Sequence, residues 1–231
     1  MTQQVRRPVL TFIAAIMSLI LLAGCIVHVG ASKARANVSL DNDHSSVNKS
    51  LTIDEGKSIR DASAVNGRLT LGDNVTARDV SSVNGRLAVG ENVSLNDLST
   101  VNGKIDAGRK LTASNDVSTV NGKIELNEES VVKGNVSSVN GKIELDGVDV
   151  GKNIETVNAS ITLSGNTRIQ GDIIYKRRNN NHSYNSYKRN PVLRIEKDVR
   201  IEGNIILESE VDLEFDDESL HDKVIERFDD K

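Results

Sequence analysis

The heptapeptide Val-Asn-Gly-Lys-Ile-Glu-Leu at 139–145 belongs to a pattern that recurs along most of the chain. Other close or degenerate copies begin 18 or 19 residues apart, at Val47, Val65, Val83, Val101, Val120 and Val157. A short fixed period is typical of a solenoid, in which each repeat packs on the one before it. The repeat therefore predicts the architecture of the chain, and it names no reaction.

Apolar residues recur every six positions in the first repeats, as at Val47, Ile53, Ile59, Val65 and Leu71. Many have an apolar partner two residues earlier, which is typical of a strand with one buried face. Three short strands per repeat predict an all-β fold: a three-sided, single-stranded parallel β-helix with about 18 residues per coil. We expect it over residues 45–215, in about nine coils with right-handed crossovers. An antiparallel meander with Asn-Gly hairpins is the alternative.

The six-residue spacing assigns the first valine of each heptapeptide to the core. Another apolar residue lies three positions before it, at Val80, Leu98, Val117, Val136 and Ile154. A straight strand cannot point positions three apart to the same side. We therefore expect the chain to bend between them, at 81–82, 99–100, 118–119 and 137–138.

The Asn-Gly pair predicts a corner, because glycine reaches positive φ without steric cost and asparagine tolerates turn geometry. Stacked corners would place the asparagines above one another, so that their amides form a structural ladder. Its expected members are Asn66, Asn84, Asn102, Asn121, Asn140 and Asn158. A ligand-binding stripe is the alternative interpretation of this row.

Basic residues follow the corners, at Arg68, Arg86, Lys104, Lys123 and Lys142. Glu125 and Glu144 lie two positions after the last two lysines, so we expect a solvated, partly neutralised face. A strip that binds glycan or lipid phosphate is the alternative. The formal net charge of -4 argues against a nucleic-acid partner.

The N-terminal segment has the layout of a secretory signal. Arg6 and Arg7 precede an uncharged apolar run over 10–22, which is short for a membrane-spanning helix. Residues 1–24 are therefore predicted to be a signal peptide. An ordinary signal peptide or a membrane anchor with an incidental cysteine is the alternative.

The quartet Leu22-Ala23-Gly24-Cys25, which contains the one cysteine of the chain, resembles the lipobox of bacterial lipoproteins. The resemblance implies cleavage before Cys25, acylation of this residue, and anchoring by several acyl chains. Residues 25–44 would then be the lipidated cysteine and a tether. Because Ile26 follows in place of aspartate, the resemblance implies the outer membrane, facing the periplasm or the cell surface.

The repeat is interrupted by KRRNNNHSYNSYKRN at 176–190, which carries five basic residues and no acidic residue. Insertions in solenoids map to loops, and basic residues among Tyr and Asn suit contact with phosphate or an anionic glycan. A solvated loop without a ligand is the alternative. The candidate binding residues are Lys176, Arg177, Arg178, Tyr184, Tyr187, Lys188 and Arg189. The acidic segment 216–231 is predicted to cap the end of the rod, with Asp217 or Ser219 as a helix N-cap.

Enzymes with similar β-helix folds carry catalytic or metal-binding residues at positions where this chain has no such residues. Residues 71–76 resemble a hexapeptide acyltransferase coil, but the four histidines lie outside the regular coils, at 28, 44, 182 and 221. No repeated carboxylate group for calcium and no zinc spacing occurs. We therefore expect no catalytic residues, no cofactor and no metal.

Over about 45–215 the repeats resemble the adhesin-like β-solenoid domains of bacterial cell-envelope proteins. The segments at 169–173 and 201–205 also resemble bactofilins, which are polymer-forming scaffold proteins. These resemblances imply a non-enzymatic structural or binding module with an envelope glycan, lipid phosphate or protein partner. A self-associating scaffold is the second expectation, and a glycan-active enzyme or acyltransferase is the third.

Overall fold

The chain folds as a β-solenoid. The computed structural model describes residues 43–177 and 190–228. Strand makes up 56% and helix 3%, and the paired strands run parallel, so the predicted parallel solenoid is confirmed and the antiparallel meander is wrong. The chain makes about nine turns of about 19 residues, against the 18 expected. The handedness of the crossovers stays a prediction.

Each turn contributes segments to three walls. Strands of wall 1 are β1 (His44–Val47), β3 (Asp61–Val65), β5 (Asp79–Asn84), β8 (Asp97–Asn102), β17 (Ile173–Tyr175), β20 (Ile205–Leu207) and β22 (Val224–Glu226). Strands of wall 2 are β2 (Leu51–Ile53), β4 (Leu69–Leu71), β6 (Leu87–Val89), β9 (Ile105–Ala107), β18 (Val192–Ile195) and β21 (Asp212–Phe215).

Three longer strands run through the corner and belong to both walls. They are β11 (Val117–Leu126), β13 (Val136–Asp146) and β15 (Ile154–Ser164). Wall 3 is a separate sheet of six strands: β7 (Ser94–Leu95), β10 (Thr112–Ala113), β12 (Ser130–Val132), β14 (Val148–Val150), β16 (Arg168–Ile169) and β19 (Arg200–Ile201). Stacking nine turns at the usual strand separation makes a rod about 40 Å long.

The strands of wall 1 are straight where a bend was predicted. In β5 both Val80 and Ser82 are buried with 1% exposure, and the half-buried Ser81 and Val83 alternate with them. The predicted bend is wrong, and the valine before Asn-Gly is a half-buried wall residue at 65, 83, 101 and 120, while Val139 is buried with 8% exposure. Because successive side chains of a strand point to opposite faces, the serine or threonine before this valine points inward. Apolar spacing alone does not reveal this exchange.

Aliphatic side chains fill the interior, as the composition predicts. Leu69, Leu87, Ile105, Ile124 and Ile143 lie in one column of wall 2, each with no exposed surface. Parallel stacking at constant register keeps like residues in contact from turn to turn, so one leucine or isoleucine per turn continues the packing. The narrow core therefore needs no large ring through its regular turns.

The two ends of the rod differ. At the lower end β1 pairs only with β3 among the described residues, and Val47 is 49% exposed. At the upper end a 3₁₀ helix, Glu218–Lys223, buries Leu220 and leads into β22, which pairs with β20. The Asp217 carboxylate accepts the Ser219 backbone N–H, which confirms Asp217 as the N-cap.

Candidate functional site

The corner between walls 1 and 2 carries an exposed ladder of asparagine amides. Each Nδ2 donates to the Oδ1 of the asparagine one turn below, over 2.8–2.9 Å up to Asn140 and over 3.4 Å from Asn158. The ladder also reaches one turn lower than predicted, because Asn66 donates to Asn48 at 2.9 Å. The degenerate repeat at 47–53 carried the signal for this extra member.

The glycines of this corner have a packing role. A Cβ atom built on Gly85, Gly103 or Gly122 would lie 1.8 Å from the carbonyl oxygen of the glycine one turn below. Real Cβ atoms do not approach an oxygen so closely, so these three positions need glycine whatever their φ. The top of the column carries Ala159, which is fully buried and donates its N–H to the Thr156 hydroxyl.

Buried hydroxyl groups line the inside of the same corner. Ser82, Thr100 and Thr119 stack in register on wall 1, and within 43–177 and 190–228 their hydroxyls have no hydrogen-bond partner. One column position higher, Ser138 donates to the Asn140 carbonyl oxygen. Tyr175 ends the hydroxyl column, and it is fully buried with no partner for its oxygen in the part of the chain that the structure describes. Because the sequence predicted a bend at these positions, this column of inward-facing hydroxyl groups was not expected.

A second ladder, which the sequence analysis missed, lies where wall 3 passes into wall 1. From Asp97 upward, each side-chain oxygen accepts the backbone N–H of the equivalent residue in the next turn, over 2.7–3.2 Å. Its members are Asp97, Asp116, Asn135, Asn153, Asp172 and Asn204. The detectable signal was an Asp or Asn directly before each inward-facing residue, such as Val117 or Ile173.

Below this ladder, acidic residues of the same column pair with arginines. Arg60 donates to Asp43 and Arg78 donates to Asp61. Asp79 stacks between Asp61 and Asp97. Its partial burial, and then the charge of Asp61, raise the pKa of the Asp79 carboxyl.

From Arg86 upward, the predicted basic row on wall 2 is partly neutralised by acidic residues beside it. Arg86 and Lys104 pair with Asp106, at 2.9 and 3.2 Å, and Lys104 and Lys123 pair with Glu125, at 2.6 and 2.9 Å. Further up, Lys123 and Lys142 both reach Glu144 at 2.5 Å. Hydrogen bonds from Lys104 and then Lys123 lower the pKa of Glu125 to about 2. The row has the charge pattern of the solvated face that the sequence predicts.

The insertion leaves the rod where the next Asn-Gly corner would stand. β17 ends at Tyr175 on wall 1, and β18 resumes at Val192 on wall 2, directly above β15. Of the candidate loop residues, Lys176 pairs with Glu155 at 2.5 Å, and the Arg177 backbone N–H donates to Glu208. Lys176 therefore also helps to hold the base of the insertion.

The other candidate loop residues lie outside the described residues: Arg178, Tyr184, Tyr187, Lys188 and Arg189. The lipobox residues Leu22, Ala23 and Gly24 and the lipidation site Cys25 also lie outside them. The structure therefore describes the point where the N-terminal segment joins the rod, at Asp43, and the two ends of the insertion, at 177 and 190.

Within 43–177 and 190–228 no group of three or more His, Cys, Asp or Glu side chains could hold a metal ion. A depression of about 270 Å³ near the upper end is lined by Arg194, Glu196, Glu214, Phe215 and Asp216, and Arg194 forms an ion pair with Glu214 there. His221 packs against Phe215 nearby, with ring centroids 4.9 Å apart. In the same residues, no helix has the length and apolar character needed to span a membrane.

No family model, no curated protein and no solved structure matches this chain.

Proposed function

We propose that the protein is a lipid-anchored, non-enzymatic rod of the bacterial cell envelope, acting as a structural or binding module. The placement of its two non-repeating segments supports this proposal. The segment with Cys25 joins the rod at its first turn, and the basic insertion leaves it near its eighth, about 35 Å along the axis at the usual strand separation. Such a rod holds a basic loop at a distance from an acyl anchor.

The ladders on its surface are consistent with a spacer. Amide, carboxylate and ion-pair rows each link one turn to the next along the axis. The side chains of these rows satisfy one another, so the outer walls present mainly paired groups. The adhesin-like resemblance of the repeats agrees with a binding module, and the ligand would be an anionic envelope glycan, a lipid phosphate or an acidic protein surface.

The anchor is tested by expressing the full chain and its Cys25→Ser variant in a bacterium supplied with labelled palmitate. We expect label and membrane partitioning with Cys25 and the loss of both in the variant, because the thiol receives the acyl chains. An Ile26→Asp variant is the matched control. It should keep the label and change only the membrane in which the protein is found. A Cys25→Ser protein that still partitions with membranes would contradict the anchor.

The loop is tested with purified protein and vesicles of phosphatidylcholine containing phosphatidylglycerol, or with an anionic polysaccharide. Replacing Arg177, Arg178, Lys188 and Arg189 by glutamine should reduce binding and its salt dependence, because these cations would meet the anionic groups. The control removes four lysines from the rod, at 49, 57, 133 and 152. Equal binding by both variants would argue against the loop as the binding element.

A scaffold is the second candidate, and it is favoured by the edge of β1 that has no paired strand among the described residues. An unpaired strand edge can pair with another chain, and Val47 on this edge is half exposed. Sedimentation velocity distinguishes the two functions. Filaments that persist without residues 178–189 and vanish with Val47→Lys would favour the scaffold, and a monomer at all concentrations would exclude it.

A further inference from the structure

Five asparagines of the corner ladder precede glycine: Asn66, Asn84, Asn102, Asn121 and Asn140. All five are exposed to solvent. Asn-Gly is the pair at which deamidation meets least hindrance, because the glycine nitrogen can attack the neighbouring side-chain Cγ without a Cβ in its way. A chain with five such exposed pairs would be expected to lose amides readily.

In the pairs Asn84-Gly85 and Asn102-Gly103 the folded corner holds both reacting groups in hydrogen bonds. The Gly85 N–H donates to the Asn102 carbonyl oxygen at 3.1 Å, and the Gly103 N–H donates to the Asn121 carbonyl oxygen at 3.0 Å. The leaving amide of Asn102 donates to Asn84 Oδ1 at 2.8 Å, and its own Oδ1 accepts from Asn121 at 2.9 Å. Attack at Cγ needs the backbone nitrogen to leave its partner and the side chain to leave the ladder.

We propose that the five Asn-Gly pairs are latent deamidation sites, which the amide ladder keeps unreactive in the folded rod. In the reaction the glycine nitrogen bonds to Cγ and loses its proton, and the side-chain nitrogen leaves as ammonia. Water then opens the cyclic imide at either carbonyl and yields aspartate or isoaspartate. The proposal is independent of the anchor and of the basic loop.

Reaction at one site would also weaken its neighbours. An aspartate lacks the Nδ2 donor, so its carboxylate would face the Oδ1 of the turn below without a proton between them. Isoaspartate adds a methylene to the backbone at a corner where even a Cβ on glycine would overlap the turn below. Each event therefore exposes the adjacent amides and favours a second event.

The first test compares the full chain in buffer with the same chain in urea at the same pH and temperature. Peptide mass spectrometry locates each acid formed, and chromatography separates isoaspartate from aspartate. If a site reacts only after global unfolding, the folded protein should react about 10³-fold or more slowly than the unfolded chain. Equal rates at the five sites in buffer and urea would overturn the proposal.

The second test breaks the ladder at one position. Asn102→Ala removes the partner of both Asn84 and Asn121, so these two should deamidate faster while Asn66 and Asn140 keep their rates. Asn92→Ala is the matched control, because Asn92 is an exposed asparagine of another column that donates to Asn74. Circular dichroism verifies that each variant is folded. Unchanged rates at Asn84 and Asn121 in folded Asn102→Ala would contradict the role of the ladder, and the buffer-and-urea comparison decides if that variant does not fold.

Discussion

At the scale of single residues, Tyr175 shows how far the column of wall 1 departs from an aliphatic core. It is fully buried, its hydroxyl has no partner among the described residues, and burial raises the pKa of this hydroxyl. It occupies the position that Thr156 fills one turn below. An aromatic ring therefore replaces a small side chain in this column, in the last strand before the insertion.

We expect Tyr175→Phe to raise the free energy of unfolding by about 1–2 kcal/mol, because an unpaired buried hydroxyl loses its hydration without compensation. Urea unfolding followed by circular dichroism measures the change. Thr119→Val offers a second case, since its buried hydroxyl also lacks a partner within the described ranges. Destabilisation by both variants would show instead that internal water binds these hydroxyls.

The corner glycines allow steric overlap to be separated from backbone preference. Gly103→Ala should lower the free energy of unfolding by about 3 kcal/mol or more, because its Cβ would overlap the carbonyl oxygen of Gly85. Gly56→Ala should lower the free energy of unfolding by about 1 kcal/mol. Gly56 has φ +70°, but no atom of the described residues lies within 4 Å of the added Cβ. Thermal unfolding of both variants measures the difference. Equal losses would show that the corner relaxes around a side chain.

At the scale of elements, the ion-pair row of wall 2 links β9 to β11 and β11 to β13. Glu125 and Glu144 each lie between a lysine of their own turn and a lysine of the turn below. The corner ladder performs the same linking with neutral amides. Of these two rows, only the charged one carries groups that titrate with pH.

Glu125→Gln should lower the free energy of unfolding by about 1 kcal/mol at pH 7, allowing for partial solvent screening. The pKa of Glu125 is about 2 in the folded chain and about 4.5 without its partners, so the folded state holds the proton less tightly. Its contribution is therefore fully present above pH 4.5 and is lost as the pH falls towards 2.

Urea titrations at a series of pH values test this window. The wild-type and Glu125→Gln stabilities should converge as the pH approaches 2. Glu128→Gln is the control, because Glu128 pairs with Arg109 at a more exposed site and should change stability less. A difference for Glu125→Gln that persists at pH 2 would point to packing rather than charge.

At the scale of the whole molecule, the rod is a stack of turns that contact mainly their neighbours. Its stability should then be close to a sum over turns and the interfaces between them. Residues 79–96 span one complete turn, since Asp97 pairs in register with Asp79. Removing them joins Arg78 to Asp97 and leaves each column continuous.

Deletion of 79–96 should therefore give a folded, shorter rod with a lower free energy of unfolding. Deletion of 79–87 is the control, because half a turn would move the inward residues of one wall onto another. Circular dichroism and thermal unfolding compare the two. A full-turn deletion that behaves like the half-turn deletion would show that the rod does not fold as a linear array.

The sequence alone determined the solenoid, its three walls and the corner asparagines. Turns stacked at constant register require the same kind of side chain every 18 or 19 residues. The wall 2 columns at 69, 87 and 105 and the paired basic row followed from the same argument. Periodicity carries this information without knowledge of the neighbouring turns.

Only the tertiary structure decided which small residue of each wall 1 strand faces inward. A serine or threonine costs little in a close-packed corner, so Ser82 and Thr100 lie inside while Val83 and Val101 form the wall. The Asp and Asn ladder at 97–204 was likewise hidden, because its bonds join a side chain to a backbone one turn away. Such choices depend on space and partners in adjacent turns, which a single repeat does not contain.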